Sequence, residues 1–175
     1  MKVRDQKGFT LIELLIVVAI ISILAMIAMP QLKSAKMRGN ETSAIGSLRA
    51  ITGAEASYSV GAGNGGYAIS LAVLGRACPG GTQAFIGPDL GVATPPALKA
   101  GYHVNITSAG AGAGPTDCNG TATEVDYYGT AAPITVGSTG VRGFSVTSAG
   151  TIFQDHTGAA PPLAATLAGT ATPAQ

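Results

Sequence analysis

One stretch limits what this chain can become. Phe9 to Pro30, FTLIELLIVVAIISILAMIAMP, holds 22 residues and a single ionisable side chain, Glu13. The hydrocarbon core of a bilayer is about 30 Å thick and takes about 20 apolar helical residues to cross, so the run is long enough to span. A carboxylate in lipid costs about 2.5–3.5 kcal/mol at the centre and less near the ends, so Glu13 needs a partner. Nothing nearby in the intact chain is expected to supply one. Lys2, Arg4 and Lys7 precede the run against Asp5 alone, a bias that predicts a cytoplasmic N-terminus. The charged opening is short enough to be a removable leader. A secretory signal peptide has an apolar core of about 7–15 residues ending in a small-x-small site. This run is longer and lacks Ala-x-Ala, so the segment is expected to stay attached.

The string Lys7-Gly8-Phe9-Thr10-Leu11-Ile12-Glu13-Leu14-Leu15-Ile16-Val17-Val18 resembles the processing site and N-terminal helix of type IV pilins and of the pseudopilins of type II secretion. The resemblance is tight over the first 30 residues and loose over the next 30. It implies that a membrane-embedded aspartyl peptidase cuts between Gly8 and Phe9 and methylates the new Phe9 amine. It also implies an assembly role for Glu13, with Thr10: the Glu13 carboxylate pairs with the Phe9 amine of a neighbouring subunit. The implied partners are other copies of the chain, the prepilin peptidase and methyltransferase, and the inner-membrane pilus assembly machinery. Cutting creates a cation beside an anion that lacks a counter-ion, in a medium where pairing is strongly favoured over isolation.

The chain has 175 residues. With eight leader residues set aside, the span and its helical extension take about 50 and leave about 115 for a head, enough for one modest core. Charged residues are only 11% and glycines number 25, a composition suited to small-residue loops packed against copies of the same chain. Net charge is +1, and −1 for the part after Gly8. No clustered basic surface for phosphates stands out, so no nucleic acid partner is predicted. Cys78 and Cys118 lie beyond the span on the non-cytoplasmic side, where an even pair reads as a disulfide; two buried free thiols are the alternative.

After Gln31 the apolar run becomes amphipathic. Ala44, Ile45, Leu48, Ile51 and Tyr58 recur at helical spacings while Lys36, Arg38, Glu41 and Arg49 fall elsewhere. The pattern predicts one helix over about Phe9–Ser59, roughly 75 Å long, kinked at Pro30. Gly39, Gly46 and Gly53 form a stripe that would admit either the head's sheet or a neighbouring helix, or that merely reflects a Gly-rich chain. The run Gly61–Gly66 ends the helix. Tyr67–Leu74 reads as a short helix and Arg76–Ala100 as irregular surface loop. Tyr102–Thr107 alternates as a strand, and Gly110–Pro115 reads as a turn or loop. Glu124–Tyr128 and Ala132–Val136 read as two strands, and Val141–Thr147 with Thr151–Gln154 as a hairpin. Gly158–Gln175 lacks charge and reads as a loosely packed tail, with a tail lying on the head left open.

The expected architecture is therefore α+β: a long kinked N-terminal helix, half membrane-spanning and half amphipathic, packed on a small antiparallel sheet as in type IV pilins. Its segments are a leader (1–8), the span (9–30), the amphipathic half (31–60), a Gly/Pro-rich connection (61–100), the sheet (101–157) and the tail (158–175). No Gly-x-Ser-x-Gly or His-Glu-x-x-His motif is present, and His103 and His156 have no nucleophile at a useful spacing, so no enzyme and no cofactor are expected. Asp117, Glu124, Asp126 and Asp155 form no oxygen-ligand loop; solvated charges outweigh a calcium site. The expected function is that of a major pilin, held in the inner membrane before assembly and in an extracellular pilus after it. The alternative is a pseudopilin of type II secretion. The neutral end of the chain, where the resembling secretion subunits carry a calcium loop, favours the pilin.

Overall fold

The computed structural model describes residues 8–174; the leader up to Lys7 lies outside the described residues. The chain divides into two units, Met1–Lys36 and Met37–Gln175. Helix α1 (Leu11–Gly61) is continuous in sequence through both.

In the first unit, α1 is solvent-exposed on nearly all sides: Leu11, Ile16, Val17, Ile20, Leu24 and Leu32 are among the large apolar side chains with no cover. An all-round apolar helix belongs in a core or a membrane. The helix continues through Pro30. The hydroxyl of Ser22 donates to the Val18 carbonyl at 2.7 Å, so this polar group needs nothing from lipid.

In the second unit, α1 becomes the spine of a head. Ala44, Leu48, Ile51, Ala54 and Tyr58 are buried and recur every three or four residues, the stripe expected of an amphipathic helix. The stripe packs on an antiparallel six-stranded sheet of order β1-β2-β5-β6-β7-β8. Its strands are β1 (Ala97–Lys99), β2 (Tyr102–Ser108), β5 (Tyr127–Pro133), β6 (Gly143–Val146), β7 (Phe153–Asp155) and β8 (Thr172–Pro173); β3 (Ala113–Thr116) and β4 (Ala122–Glu124) pair separately. Tyr102, Val104 and Ile106 of β2 point into the core, with Tyr127, Ala131, Phe144 and Val146 from the next two strands. The α+β architecture, a long helix laid on one face of an antiparallel sheet, is the one expected.

Several elements differ from expectation. The two short strands read around Glu124–Val136 are one, β5, which pairs in register with β2 from Tyr102↔Pro133 to Ser108↔Tyr127. Its middle, Gly129-Thr130-Ala131-Ala132, is poor in strand formers, but those small residues are what the packing needs. A Cβ on Gly129 would lie 2.8 Å from Val146 Cγ1 and 3.6 Å from Leu48 Cδ2. The loop read over Gly110–Pro115 contains most of β3, and the irregular stretch up to Ala100 ends in β1. Only the end of the helix read over Tyr67–Leu74 forms, as α2 (Leu71–Leu74), where Ser70 Oγ accepts the Ala72 N–H. The tail is folded: α3 (Leu163–Leu167) is followed by β8, which pairs with β7. The Thr166 hydroxyl meets that of Ser145 in the interior at 2.8 Å. Finally, the stripe of Gly39, Gly46 and Gly53 does not receive the sheet, since a Cβ on any of the three would meet nothing within 4 Å. Those glycines face away from the head.

Candidate functional site

The site begins where α1 begins. Thr10 precedes the first helical residue, Leu11, and Glu13 lies in the first turn. Glu13 Oε2 accepts the Thr10 N–H at 2.8 Å and the Thr10 hydroxyl at 2.6 Å, while Thr10 Oγ1 sits 3.3 Å from the Glu13 N–H. This is the reciprocal capping arrangement of a Thr-x-x-Glu sequence, which satisfies donors that a helix start leaves orphaned. Negative charge there is also favoured by the helix dipole.

The expectation that Glu13 lacks a partner in the intact chain is thus corrected. Both hydrogen bonds use Oε2, so one carboxylate oxygen is anchored to Thr10 while Oε1 makes no hydrogen bond among the described residues. The Thr-x-x-Glu spacing carried that signal; the apolar context drew attention away from it. Phe9 just before the cap is 86% exposed. Among the described residues a Cβ on Gly8 would meet nothing within 4 Å.

Three groups of contacts hold the head to the same helix. Glu41, buried on the first head-facing turn, accepts the N–H groups of Val141 and Arg142 at 2.9 and 3.1 Å and pairs with the Arg142 guanidinium at 2.7 Å. Arg142 also donates to Gln154 Oε1 at 2.7 Å and lies over the Phe144 ring. Burial works to raise the Glu41 carboxyl, but the Val141 and Arg142 donors outweigh it and hold the group below the usual carboxylate range. At the far end of the helix, the Tyr58 hydroxyl donates to Asp117 Oδ2 at 2.9 Å. Burial likewise opposes ionisation of Asp117, and the Thr121 N–H, the Tyr58 hydroxyl and the Asn119 N–H together prevail and lower it. Beside it, Cys78 and Cys118 form a disulfide with Cα atoms 5.6 Å apart, and the Cys118 N–H donates to the Ala62 carbonyl. The bridge ties the loop after α2 to the turn between β3 and β4, and the Ala62 bond ties that turn to the end of α1.

The remaining acids do not converge. Glu124 accepts the Ser108 hydroxyl, Asp126 Oδ1 accepts the N–H groups of Tyr127 and Ser148, and Asp155 Oδ1 accepts the Thr157 N–H. Among the described residues no three His, Cys, Asp or Glu side chains gather as metal ligands would.

With this geometry in view, the family described as "Prokaryotic N-terminal methylation motif" matches residues 3–29, which include Gly8, Phe9, Thr10 and Glu13. Over this N-terminal segment the chain carries that motif and is similar to type IV pilus components and to a type II secretion protein. The likeness fits both the exposed apolar helix and its capped carboxylate. The chain is 62% identical over 39 residues to the type IV wide pilus major component PilA4 of Thermus thermophilus, covering 22% of this chain and 30% of that one. It is 54% identical over 48 residues to a fimbrial protein of Pseudomonas aeruginosa, 27% and 31% of the two chains. It is also 44% identical over 54 residues to the type II secretion system core protein G of Pseudomonas aeruginosa, 31% and 38%. The chain therefore spans about a third of the length of the curated relatives it matches. No solved structure matches it.

Proposed function

We propose that this chain is a structural subunit, the major pilin, of a type IV pilus. The observation that carries the proposal is the helix start: a carboxylate held by one oxygen on Thr10, with no hydrogen bond to the other among the described residues, at the head of an apolar helix that a single chain leaves exposed. In this reading a prepilin peptidase removes residues 1–8 and the Phe9 amine is methylated. The Glu13 Oε1 of one copy then receives the Phe9 amine of the next, and the apolar helices of many copies cover one another. The free space around Gly8 among the described residues suits the cut. The span lies in the inner membrane with the leader in the cytoplasm until assembly moves the subunit into an extracellular filament. Pro30, inside the helix and without an N–H, bends it.

The relatives include a secretion protein G as well as pilus components, so a short pseudopilin filament that drives protein export is the second reading. Sheared surface material separates the two. The pilus reading expects micrometre-long filaments built of this chain, with subunits whose mass corresponds to a methylated chain starting at Phe9. Absence of surface filaments, together with a secretion defect on deletion, would favour the pseudopilin.

A further inference from the structure

Among the buried acids of the head, one is used neither by filament assembly nor by the clamps to the helix. Glu55, on α1, is fully buried. Its Oε2 accepts the Ala68 N–H at 2.9 Å, and Oε1 has no hydrogen-bond partner. Ala68 belongs to the segment that follows the Gly61–Gly66 turn, and the rest of that segment is well anchored. Tyr67 exchanges two backbone bonds with Glu124, and Leu71 and Leu74 of α2 are buried. The Glu55–Ala68 bond thus joins the long helix to the segment that folds back across it.

We propose that Glu55 is a proton-operated latch: neutral, it can stay dry beneath the segment around Ala68, and on losing its proton it must be hydrated, one N–H donor being too few for a buried carboxylate, which opens that segment from α1.

The geometry determines which form the site tolerates. A carboxylate in a dry interior needs several donors or a cation, and Glu55 has one donor. The titratable groups facing it are Tyr58 from its own helix and Tyr127 from β5. The Tyr58 hydroxyl is engaged by Asp117, and Tyr127 points its own hydroxyl at Thr52. Burial raises both phenols, Tyr127 to about 12, so neither becomes a cation or gives up a proton near neutrality. Asp117, which accepts the Tyr58 hydroxyl, brings no cation to the site. Among the described residues Glu55 makes no ion pair; the two present are Lys99–Asp89 and Arg142–Glu41. Burial pushes the Glu55 carboxyl up to about 8, against a lowering by the Ala68 N–H.

A raised folded-state value means that the contribution is complete below the unfolded value near 4.5 and is lost as pH rises through about 8. Between about pH 5 and 8 the folding constant should fall about tenfold per unit and level off above. The lowered carboxylates, Glu41 and Asp117, act at more acid pH and do not mask this window.

The test uses the full chain in detergent micelles, following thermal unfolding by tyrosine near-ultraviolet dichroism from pH 5 to 9, alongside Glu55→Gln. The wild type should show the fall and Glu55→Gln a flat profile. Amide-exchange protection at Ala68 should drop with rising pH in the wild type while Leu48 stays protected. A wild-type slope retained in Glu55→Gln would overturn the latch. The carboxyl carbon resonance of Glu55, read by NMR in the wild type, decides even if the variant does not fold: titration near 8 supports the latch, and titration below 5 overturns it.

Discussion

Glu13 and Glu41 sit on one helix and meet opposite fates, and the difference is made by donors. Glu13 takes two from Thr10 through a single oxygen and makes no hydrogen bond through the other among the described residues. Glu41 spends both oxygens on Val141 and Arg142. Glu13→Gln retains an acceptor for Thr10 but loses the charge that the proposed pairing with a neighbour's amine requires. Filament yield in shear preparations should fall more than about tenfold, the equivalent of 1.4 kcal/mol per contact, while the membrane pool of subunit is unchanged. Thr10→Val removes the cap hydroxyl and should cost the helix start about 1 kcal/mol. Glu41→Ala strands the Arg142 guanidinium and two backbone donors. Urea unfolding of the detergent-solubilised chain should report a loss of about 2–4 kcal/mol. Because Glu41 and Asp117 are held below their unfolded values, the stability they add is present above the ordinary carboxylate range and lost as pH falls through it. Glu41→Gln should therefore blunt acid denaturation.

Among the elements, legibility followed side-chain size. The alternation of Tyr102, Val104 and Ile106 announced β2, and Val141–Gln154 announced the β6–β7 hairpin, because large side chains on one face leave a period of two. In β5, Gly129 and Ala131 leave almost no period. Their smallness is imposed by Val146 and Leu48 across the sheet, information that the strand itself does not carry. Likewise Thr172-Pro173 becomes a strand only because β7 offers an edge, and Pro173 fits an outermost strand that needs no further donor. The glycine stripe on α1 is the converse case. Its period was readable, but which way it faced depended on the position of the sheet. Since Gly46 meets no neighbour in the chain, Gly46→Ala should stabilise the isolated subunit by about 0.5–1 kcal/mol. Gly129→Ala should destabilise it, and paired melts of the two variants would check both signs.

For the whole molecule, the N-terminal motif was readable because it is local, the expected Gly8-Phe9 cleavage site and the apolar run lying within one stretch, whereas the Thr10–Glu13 cap in that same stretch was hidden by its apolar surroundings. The head was legible as a class of architecture and not as a set of contacts. Arg142 lies about a hundred residues from Glu41, and Asp117 meets Tyr58 across half the head. The disulfide closes a separation of 40 residues, so serine at Cys78 and Cys118 together should cost about 4 kcal/mol in the chain-entropy view, measured as a lower urea midpoint. That bridge also leaves a record of where each copy has been. Thiols couple only where an oxidant reaches them, so in the proposed pathway a chain lighter by two hydrogens has already carried its head out of the cytoplasm, whether or not Met1–Gly8 is still attached. Weighing individual copies for those two changes would tell a block in export from a block in trimming.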